Sequence, residues 1–143
     1  MEVKIATTAE ERKDAFYVRM KVFVEEQNVP KEEEMDEFDE TAIHFVGYEN
    51  GKAVAAGRVR FIDDFGKLER ICVMKAYRGK HFGRALMEQM EETIRKHGYH
   101  KAKLNAQTHA ETFYAQQGYE TVSDIFMDAG IPHVTMVKEF SND

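Results

Sequence analysis

The residues best suited to chemistry form a basic, glycine-containing segment near the middle of the chain. Four cations stand within ten positions that hold no acid: Lys75, Arg78, Lys80 and Arg84. A strand-like run ends before them, Gly79 and Gly83 lie among them, and a helical pattern begins at Phe82. A strand, a glycine-bearing loop and a helix start direct free backbone N–H groups and the positive end of the helix dipole at one spot. The segment therefore predicts a site for an anion such as a phosphate.

Two common phosphate-binding motifs do not fit this segment. A P-loop ends in Gly-Lys followed by Ser or Thr, whereas Gly79-Lys80 is followed by His81. A dinucleotide fingerprint requires a different glycine spacing and a parallel βαβ unit. The spacing alone also fits an alternative without any ligand, in which the segment is only a glycine-containing turn before an amphipathic helix.

A second charged segment lies at residues 25–40 and is acidic. It holds nine acids and one lysine, a local net charge of −8, whereas the whole chain carries −6. The other residues therefore show no broad basic face, which argues against a nucleic-acid binder. We expect a loop or short irregular helix here, and two interpretations of its charge remain. It is either solvated surface, as most charged runs are, or a wall that attracts a cationic ligand.

Hydrophobic periodicity predicts an alternation of strands and helices. Thr8 and Glu11 form a capping box for the first helix, and Asn50-Gly51 is a strong hairpin signal. The expected strands are 2–6, 42–49, 52–62, 67–74, 101–106, 119–127 and 133–140, and the expected helices are 9–24, 82–97 and 109–117. A strand–helix–strand crossover in the middle requires one parallel pair within a largely antiparallel sheet. The predicted class is α+β, with a mixed, mostly antiparallel sheet, one central parallel strand pair and flanking helices.

Length and composition are those of one globular unit. At 143 residues the chain matches a single domain spanning 1–143. Its one cysteine, Cys72, cannot form an internal disulfide, and no apolar run approaches a membrane span. We expect a cytoplasmic protein without a membrane partner, either a monomer or a homodimer.

Two segments resemble the GNAT superfamily of acyl-CoA-dependent N-acyltransferases. LERICVMKAYRGKHFGRALM resembles motif A, whose pattern Gln/Arg-x-x-Gly-x-Gly/Ala falls on Arg78, His81 and Gly83. AETFYAQQGYE, starting at Ala110, resembles motif B. DEFDETAIHF and GIPHVTM further resemble the ElaA/YjcF-like branch of small bacterial members. The chain departs from the family pattern at His81, where a glycine is usual, and at Gln107, where an asparagine is frequent.

The resemblance implies a binding site for acetyl-CoA, used as a co-substrate without a metal ion. In this family the pantetheine arm lies in a splay between two parallel strands, which places it beside the backbone of Ile71, Cys72 and Val73. The pyrophosphate then lies on the motif A loop and helix start, formed by Arg78, Gly79, Lys80, His81, Phe82, Gly83 and Arg84.

Two residues are candidates for proton transfer. Tyr114 matches the tyrosine that protonates the departing sulfur in many GNAT enzymes, with a packing aromatic as the alternative. Glu69 lies two and four residues before Ile71 and Val73, hence on their side of an ideal strand, where it could act as a base through a water. The alternative for Glu69 is an ion pair with a basic neighbour.

Three further residues are candidates for binding the acceptor. His44 and His133 lie in the two branch-like segments, although buried histidines more often have a structural hydrogen bond. Asp39 belongs to the acidic segment, which in this family overhangs the acceptor side of the cleft.

The function implied is direct acetyl transfer to a primary amine of a small molecule or peptide. One rival is a CoA-binding sensor or regulatory module that has lost turnover, and a weaker one is a structural or interaction domain. A sensor would bind CoA without amine-dependent thiol release, and an interaction domain would not bind CoA.

Overall fold

A computed structural model describes residues 1–140, so residues 141–143 of the expected domain lie outside the described part. The strands are β1 (Glu2–Ile5), β2 (Ile43–Glu49), β3 (Lys52–Ile62), β4 (Phe65–Val73), β5 (Lys101–Gln107), β6 (Glu120–Thr121), β7 (Phe126–Asp128) and β8 (Ile131–Glu139). The α-helices are α1 (Ala9–Arg19), α2 (Lys31–Glu34), α3 (Phe82–Lys96) and α4 (Glu111–Ala115). A π-helix at Met20–Glu26 extends α1, and short 3₁₀ turns occupy Glu37–Glu40, Lys75–Tyr77 and Thr108–Ala110.

The strands form one mixed sheet in the order β1-β2-β3-β4-β5-β8-β6, with β7 also paired to β8. Neighbouring strands are antiparallel except β4 and β5, which helix α3 connects as a crossover. The predicted fold class, including its single central parallel pair, is confirmed.

The two faces of the sheet bury separate apolar clusters. Helix α3 packs Leu86, Met87, Met90 and Ile94 onto one face, together with Leu68 of β4. Gly66 of β4 is required there, because a Cβ atom would lie 2.5 Å from Ile94. Helix α1 covers the other face, where its cluster includes Cys72. The two faces thus have different neighbours, which matters for residues on β4.

Local signals placed most elements correctly. Thr8 and Glu11 form the predicted capping box, and Asn50 and Gly51 both have positive φ in the β2–β3 turn. The acidic segment contains the expected short irregular helices. The expected strand 119–127 is wrong as a single element, because the Ser123 hydroxyl accepts the Thr135 N–H and interrupts the ladder between β6 and β7.

Within residues 1–140, every helix is too short or too polar to span a membrane.

Candidate active site

The two parallel strands separate at one end of the sheet. Their pairing runs from Phe65 opposite Lys101 to Leu68 opposite Leu104 and stops there. Beyond that point β4 continues to Val73 and β5 to Gln107 without pairing to each other. We call the space between residues 69–73 and 105–107 the strand gap. It opens into a cavity of about 1330 Å³.

Most of the predicted site residues line this cavity. They are Glu69, Ile71, Cys72, Val73, Arg78, Gly79, His81, Phe82, Gly83, Tyr114 and His133. Four others do not line it: His44, Asp39, Lys80 and Arg84.

A β-bulge in β4 decides which side chains share a face. Arg58 pairs with Glu69 and Ala56 with Cys72, so β4 has two residues where β3 has one. The extra residue is accommodated at Arg70, whose φ of 57° is left-handed. Ile71 therefore packs towards α3, whereas Cys72 belongs to the cluster under α1.

The bulge corrects the predicted placement of Glu69. The expectation that Glu69 lies on the side of Ile71 and Val73 is wrong, because the extra residue reverses the alternation of the strand. The Glu69 side chain lies on the α1 side, where it accepts from Arg58 and Arg60.

The backbone of β4 directs alternate peptide groups towards the strand gap. The Met74 N–H donates to Val54 O on β3 at 2.9 Å. Because peptide groups alternate along a strand, those of Cys72 also face β3, and those of Ile71 and Val73 face the gap. The expected backbone contact at Cys72 is thus corrected: its peptide groups belong to the β3 ladder, and burial raises the pKa of its thiol to about 12.

The start of α3 lies at the end of this gap and presents unpaired donors. Within residues 1–140, the backbone N–H groups of residues 79–84 donate no hydrogen bond, and the first helical one is Ala85 N–H to His81 O. Gly79 has a φ of 81° and His81 a φ of 63°, so the loop turns in the left-handed region at both positions. This conformation explains why a glycine suits position 81. The arrangement fits a phosphate group.

Glycine at position 83 permits a close contact with motif B. A Cβ atom there would lie 3.3 Å from the Phe113 ring. Phe113 and Tyr114 both line the cavity, and Tyr114 also packs against the core under α3.

The charges near the α3 start are partly engaged. Arg78 donates to Val73 O through Nε at 2.9 Å and forms a two-pronged ion pair with Glu26 at 2.6 and 2.7 Å. Lys80 lies over the Tyr77 ring, and the exposed Arg84 faces Glu88. Of the four cations in this segment, Arg78 is the one that lines the cavity, which Lys67 and Arg70 of β4 also line.

A polar chain links Gln27, the residue that follows the π-helix, to β5 across the cavity. Gln27 Oε1 accepts from Gln107 Nε2 at 2.8 Å, and Gln107 Oε1 bonds His109 Nε2 at 2.6 Å. Because Glu26 pairs with Arg78, the end of the π-helix and the residue after it contact both the motif A loop and the β5 arm of the strand gap. No local sequence signal indicated either contact.

Tyr114 lies within the cavity wall, with its ring edge-on to Phe113 and Tyr119. Its hydroxyl has no hydrogen-bond partner in the described part of the chain. Burial raises the pKa of Tyr114 to about 12, so the hydroxyl keeps its proton at neutral pH and can donate it.

The acidic segment is not merely solvated surface. We call the following set the arginine cluster: Arg19, Arg58 and Arg70 with Glu34, Asp36, Asp39 and Glu69. Arg19 and Arg58 are 0% and 1% exposed, so acids of the segment neutralise buried cations from α1 and β3. Sequence reasoning missed these arginines, because nothing in the local pattern distinguishes them from surface cations.

Two carboxylates of the cluster are strongly stabilised as anions. Burial alone would raise the pKa of Asp39, but hydrogen bonds and charge from Arg19 and Arg58 lower it to about 2. For Glu69, Arg60, Arg58 and Lys67 outweigh burial in the same way and lower its pKa to about 2. Asp39 thus holds two arginines together instead of lining the acceptor pocket.

His44 is a structural histidine. Its Nε2 lies 2.7 Å from Asp39 O and so must be the donor, and its ring stands edge-on to Phe16. Burial lowers its pKa. The predicted acceptor role is therefore not supported by its position.

The comparisons with known proteins agree with this geometry. The family model described as "Acetyltransferase (GNAT) domain" matches residues 7–140. The chain belongs to the GNAT acetyltransferase family. It is also 49% identical over 140 residues to the "Uncharacterized N-acetyltransferase YjcF" of Bacillus subtilis, covering 97% of this chain and 100% of that protein.

Solved GNAT structures share the fold. Escherichia coli ElaA superposes with a TM-score of 0.85 at 29% identity over 96% of this chain and 99% of its own, which with YjcF supports the predicted ElaA/YjcF-like branch. The PaiA N-acetyltransferase of Thermoplasma acidophilum, solved in complex with coenzyme A, has a TM-score of 0.71 at 15% identity over 98% and 100% of the chains. That similarity concerns the fold. Across residues 1–140 of this chain, no three metal-binding side chains are grouped to hold an ion.

Proposed function

We propose that this protein transfers the acetyl group of acetyl-CoA directly to a primary amine of a small molecule or peptide. The observation that carries the proposal is the strand gap, where the peptide groups of Ile71 and Val73 that face away from β3 lead to unpaired N–H groups at the α3 start. A pantetheine arm can pair with the first set, and a pyrophosphate can accept from the second. Acetyl-CoA supplies an activated thioester at this place.

The residues around the gap can assist each part of the transfer. A backbone N–H of Ile71 or Val73 can donate to the carbonyl oxygen as negative charge develops on it. As the C–N bond forms and the C–S bond breaks, the Tyr114 hydroxyl can give its proton to the departing sulfur. A thiol has an ordinary pKa near 8.5, so this assistance is modest.

The rim of the cavity favours an acceptor that carries positive charge. Glu32, Glu33 and Asp128 line it, are exposed, and form no ion pair within residues 1–140. The carboxylates of Asp36 and Asp39 are already paired with arginines of the cluster. The attraction for a cationic acceptor therefore comes from Glu32, Glu33 and Asp128. A primary ammonium with a second cationic group fits such a rim.

Thiol release from acetyl-CoA tests the activity. We expect release that depends on the added amine, faster with 1,4-diaminobutane than with n-butylamine, with a difference that shrinks at high salt. CoA-induced stabilisation without amine-dependent release would instead identify a sensor. Absence of both would contradict any CoA-related function.

Paired variants test the acceptor class. Glu32→Gln/Glu33→Gln should raise KM for 1,4-diaminobutane several-fold and leave KM for acetyl-CoA unchanged. Glu37→Gln/Glu40→Gln removes the same charge from exposed positions of the segment that do not line the cavity, and should change neither constant. Equal effects of the two pairs would contradict a specific role for the rim.

A further inference from the structure

We infer that His133 is the proton acceptor for the attacking amine. The inference rests on the proposed function and assigns the base that the transfer needs. An alkyl ammonium with a pKa near 10.4 is deprotonated to only about 1 part in 2,500 at pH 7, so its proton must be removed. Imidazole is the side-chain type best suited to that task at neutral pH.

The position of His133 places it beside the reaction site. His133 on β8 pairs with Gln107, the last residue of the β5 arm of the strand gap. Neighbouring strands lie about 4.8 Å apart, so its backbone is one strand removed from the gap. The side chain lines the same cavity as Tyr114 and the β4 arm, and the residue is only 9% exposed.

The local contacts of His133 fix which nitrogen is available. Its Nδ1 lies 2.7 Å from the Ile131 carbonyl oxygen. Because a carbonyl oxygen can only accept, Nδ1 carries a proton, and in the neutral ring the lone pair is therefore on Nε2. Nε2 has no partner within residues 1–140, and the ring stacks on Phe126 at 6.0 Å with an interplanar angle of 23°. The neutral imidazole thus has one unpaired nitrogen that can accept a proton, on a residue that lines the cavity.

Three other candidates for a base among the residues that line the cavity are less suited. Glu69 is paired with three cations, and those partners lower its pKa to about 2 despite burial, so it takes up a proton poorly. His109 is exposed and its Nε2 is bound to Gln107. His81 is exposed at the α3 start. A base role for Glu69 thus stays a prediction with unfavourable geometry.

Two protons leave the acceptor nitrogen during the transfer. The ammonium gives the first proton to His133 Nε2, which releases it to water. The neutral amine then forms a C–N bond with the carbonyl carbon, and His133 Nε2 takes the second proton as the nitrogen loses it. The C–S bond breaks, and the sulfur takes the Tyr114 proton. His133 releases the second proton to water, and Tyr114 regains one from water, so one proton is released overall. The products are an amide and a thiol.

His133→Asn tests the inference, because the asparagine amide can still donate to Ile131 O but has no basic nitrogen. With n-butylamine we expect kcat to fall about 10²- to 10³-fold, with KM for acetyl-CoA nearly unchanged. Methoxyamine is uncharged at pH 7.5 and needs less base assistance, so its kcat should fall less than 10-fold. His133→Gln provides a second variant if His133→Asn fails to fold.

His97→Asn is the matched control. His97 also bonds a carbonyl through Nδ1, to Thr93 O at 2.8 Å, and stacks on Phe61, but it lies outside the cavity. The kcat values of His97→Asn with n-butylamine and with methoxyamine should equal those of the wild-type protein. An equal loss with both amines, or no loss, in the His133 variants would overturn the inference while leaving the proposed function intact. Absence of transfer by the wild-type protein to any amine would overturn both.

Discussion

Arg78 and Glu26 form a charged contact at the mouth of the cavity that bears directly on CoA binding. The ion pair is two-pronged, and the hydrogen bond from Arg78 lowers the pKa of Glu26, which therefore stays charged at neutral pH. A pyrophosphate would compete with this carboxylate for the same guanidinium and would be repelled by it. The Arg78–Glu26 ion pair is therefore expected to weaken the binding of the CoA pyrophosphate.

Removing the Glu26 charge should tighten CoA binding. We expect Glu26→Gln to lower the Kd for CoA about 2- to 5-fold, since exposed ion pairs contribute up to about 1 kcal/mol. Calorimetric titration measures this. Glu25→Gln is the control, because Glu25 pairs with Lys21 away from the cavity and should leave the Kd unchanged. Weaker binding in Glu26→Gln would show that the ion pair positions Arg78 for phosphate.

Tyr114 is the second residue with a distinct kinetic signature. Tyr114→Phe removes only a hydroxyl that has no hydrogen-bond partner in residues 1–140, so packing and CoA affinity should change little. We expect kcat to fall about 10- to 100-fold, the low end for general-acid catalysis, with KM for acetyl-CoA nearly unchanged. Steady-state kinetics with saturating amine measures this. A wild-type rate would mean that the thiolate leaves unaided and that Tyr114 only packs.

At the scale of elements, the start of α3 combines function with backbone strain. His81 occupies the left-handed region with a φ of 63°, which costs a non-glycine residue about 1–2 kcal/mol. A glycine avoids that cost. Its greater conformational entropy in the unfolded chain, however, lowers the free energy of unfolding by about 0.5–1 kcal/mol. The position therefore tolerates histidine at a small loss of stability.

His81→Gly should leave the free energy of unfolding unchanged or raise it by up to about 1 kcal/mol. Lys80→Gly should instead lower it by about 0.5–1 kcal/mol, because Lys80 is not among the residues with positive φ. Urea denaturation compares the two variants. An equal loss in both would contradict the strain at His81.

Local sequence signals predicted elements well where each signal acts over a few residues. The Thr8 capping box and the Asn50-Gly51 turn form as expected. The β4 bulge at Arg70 was not predictable, because it depends on pairing with β3. The π-helix extending α1 was missed for the same reason, since the contact of its last residue, Glu26, is with Arg78, which is distant in sequence.

The site was predicted in the same uneven way. Motif spacing located the α3 start, Tyr114 and His133, whereas alternation along an ideal strand misplaced Glu69. The engagement of Asp39 by Arg19 and Arg58 could not be foreseen, because long-range ion pairs leave no local pattern.

At the scale of the whole molecule, the arginine cluster connects the acidic segment to α1 and to the sheet. Arg19 comes from α1, Arg58 from β3 and Arg70 from the β4 bulge, and acids of the segment contact all three. Removing one partner of a buried pair leaves the other charge uncompensated, which typically costs 3–5 kcal/mol. The cluster thus fixes the wall of the cavity that carries Glu32 and Glu33.

The cluster should make stability sensitive to acid. The folded-state pKa of about 2 for Asp39 and Glu69 lies below their ordinary values of 3.8 and 4.5, so their stabilisation is present above about pH 4.5 and is lost towards pH 2. Burial raises the pKa of Glu34, so ionisation of this side chain lowers the stability of the folded state as the pH rises. We expect Asp39→Asn to lower the free energy of unfolding by about 3–5 kcal/mol at pH 7, and by less at pH 3.

Urea denaturation at both pH values measures this difference. Glu37→Gln, at an exposed position of the same segment, should change the free energy of unfolding by no more than about 0.5 kcal/mol. A loss in Asp39→Asn that is the same at pH 7 and pH 3 would contradict the role given to its charge.

Calorimetric titration with CoA measures whether acyl-CoA binds in the strand gap against the start of α3. We expect one site per chain, weaker binding at high salt, and loss of binding in folded Gly83→Val, because its side chain crowds Phe113 beside the phosphate donors. Circular dichroism confirms that the variant is folded. Absence of CoA binding by the wild-type protein, or full affinity in Gly83→Val, would show that CoA does not bind at this place.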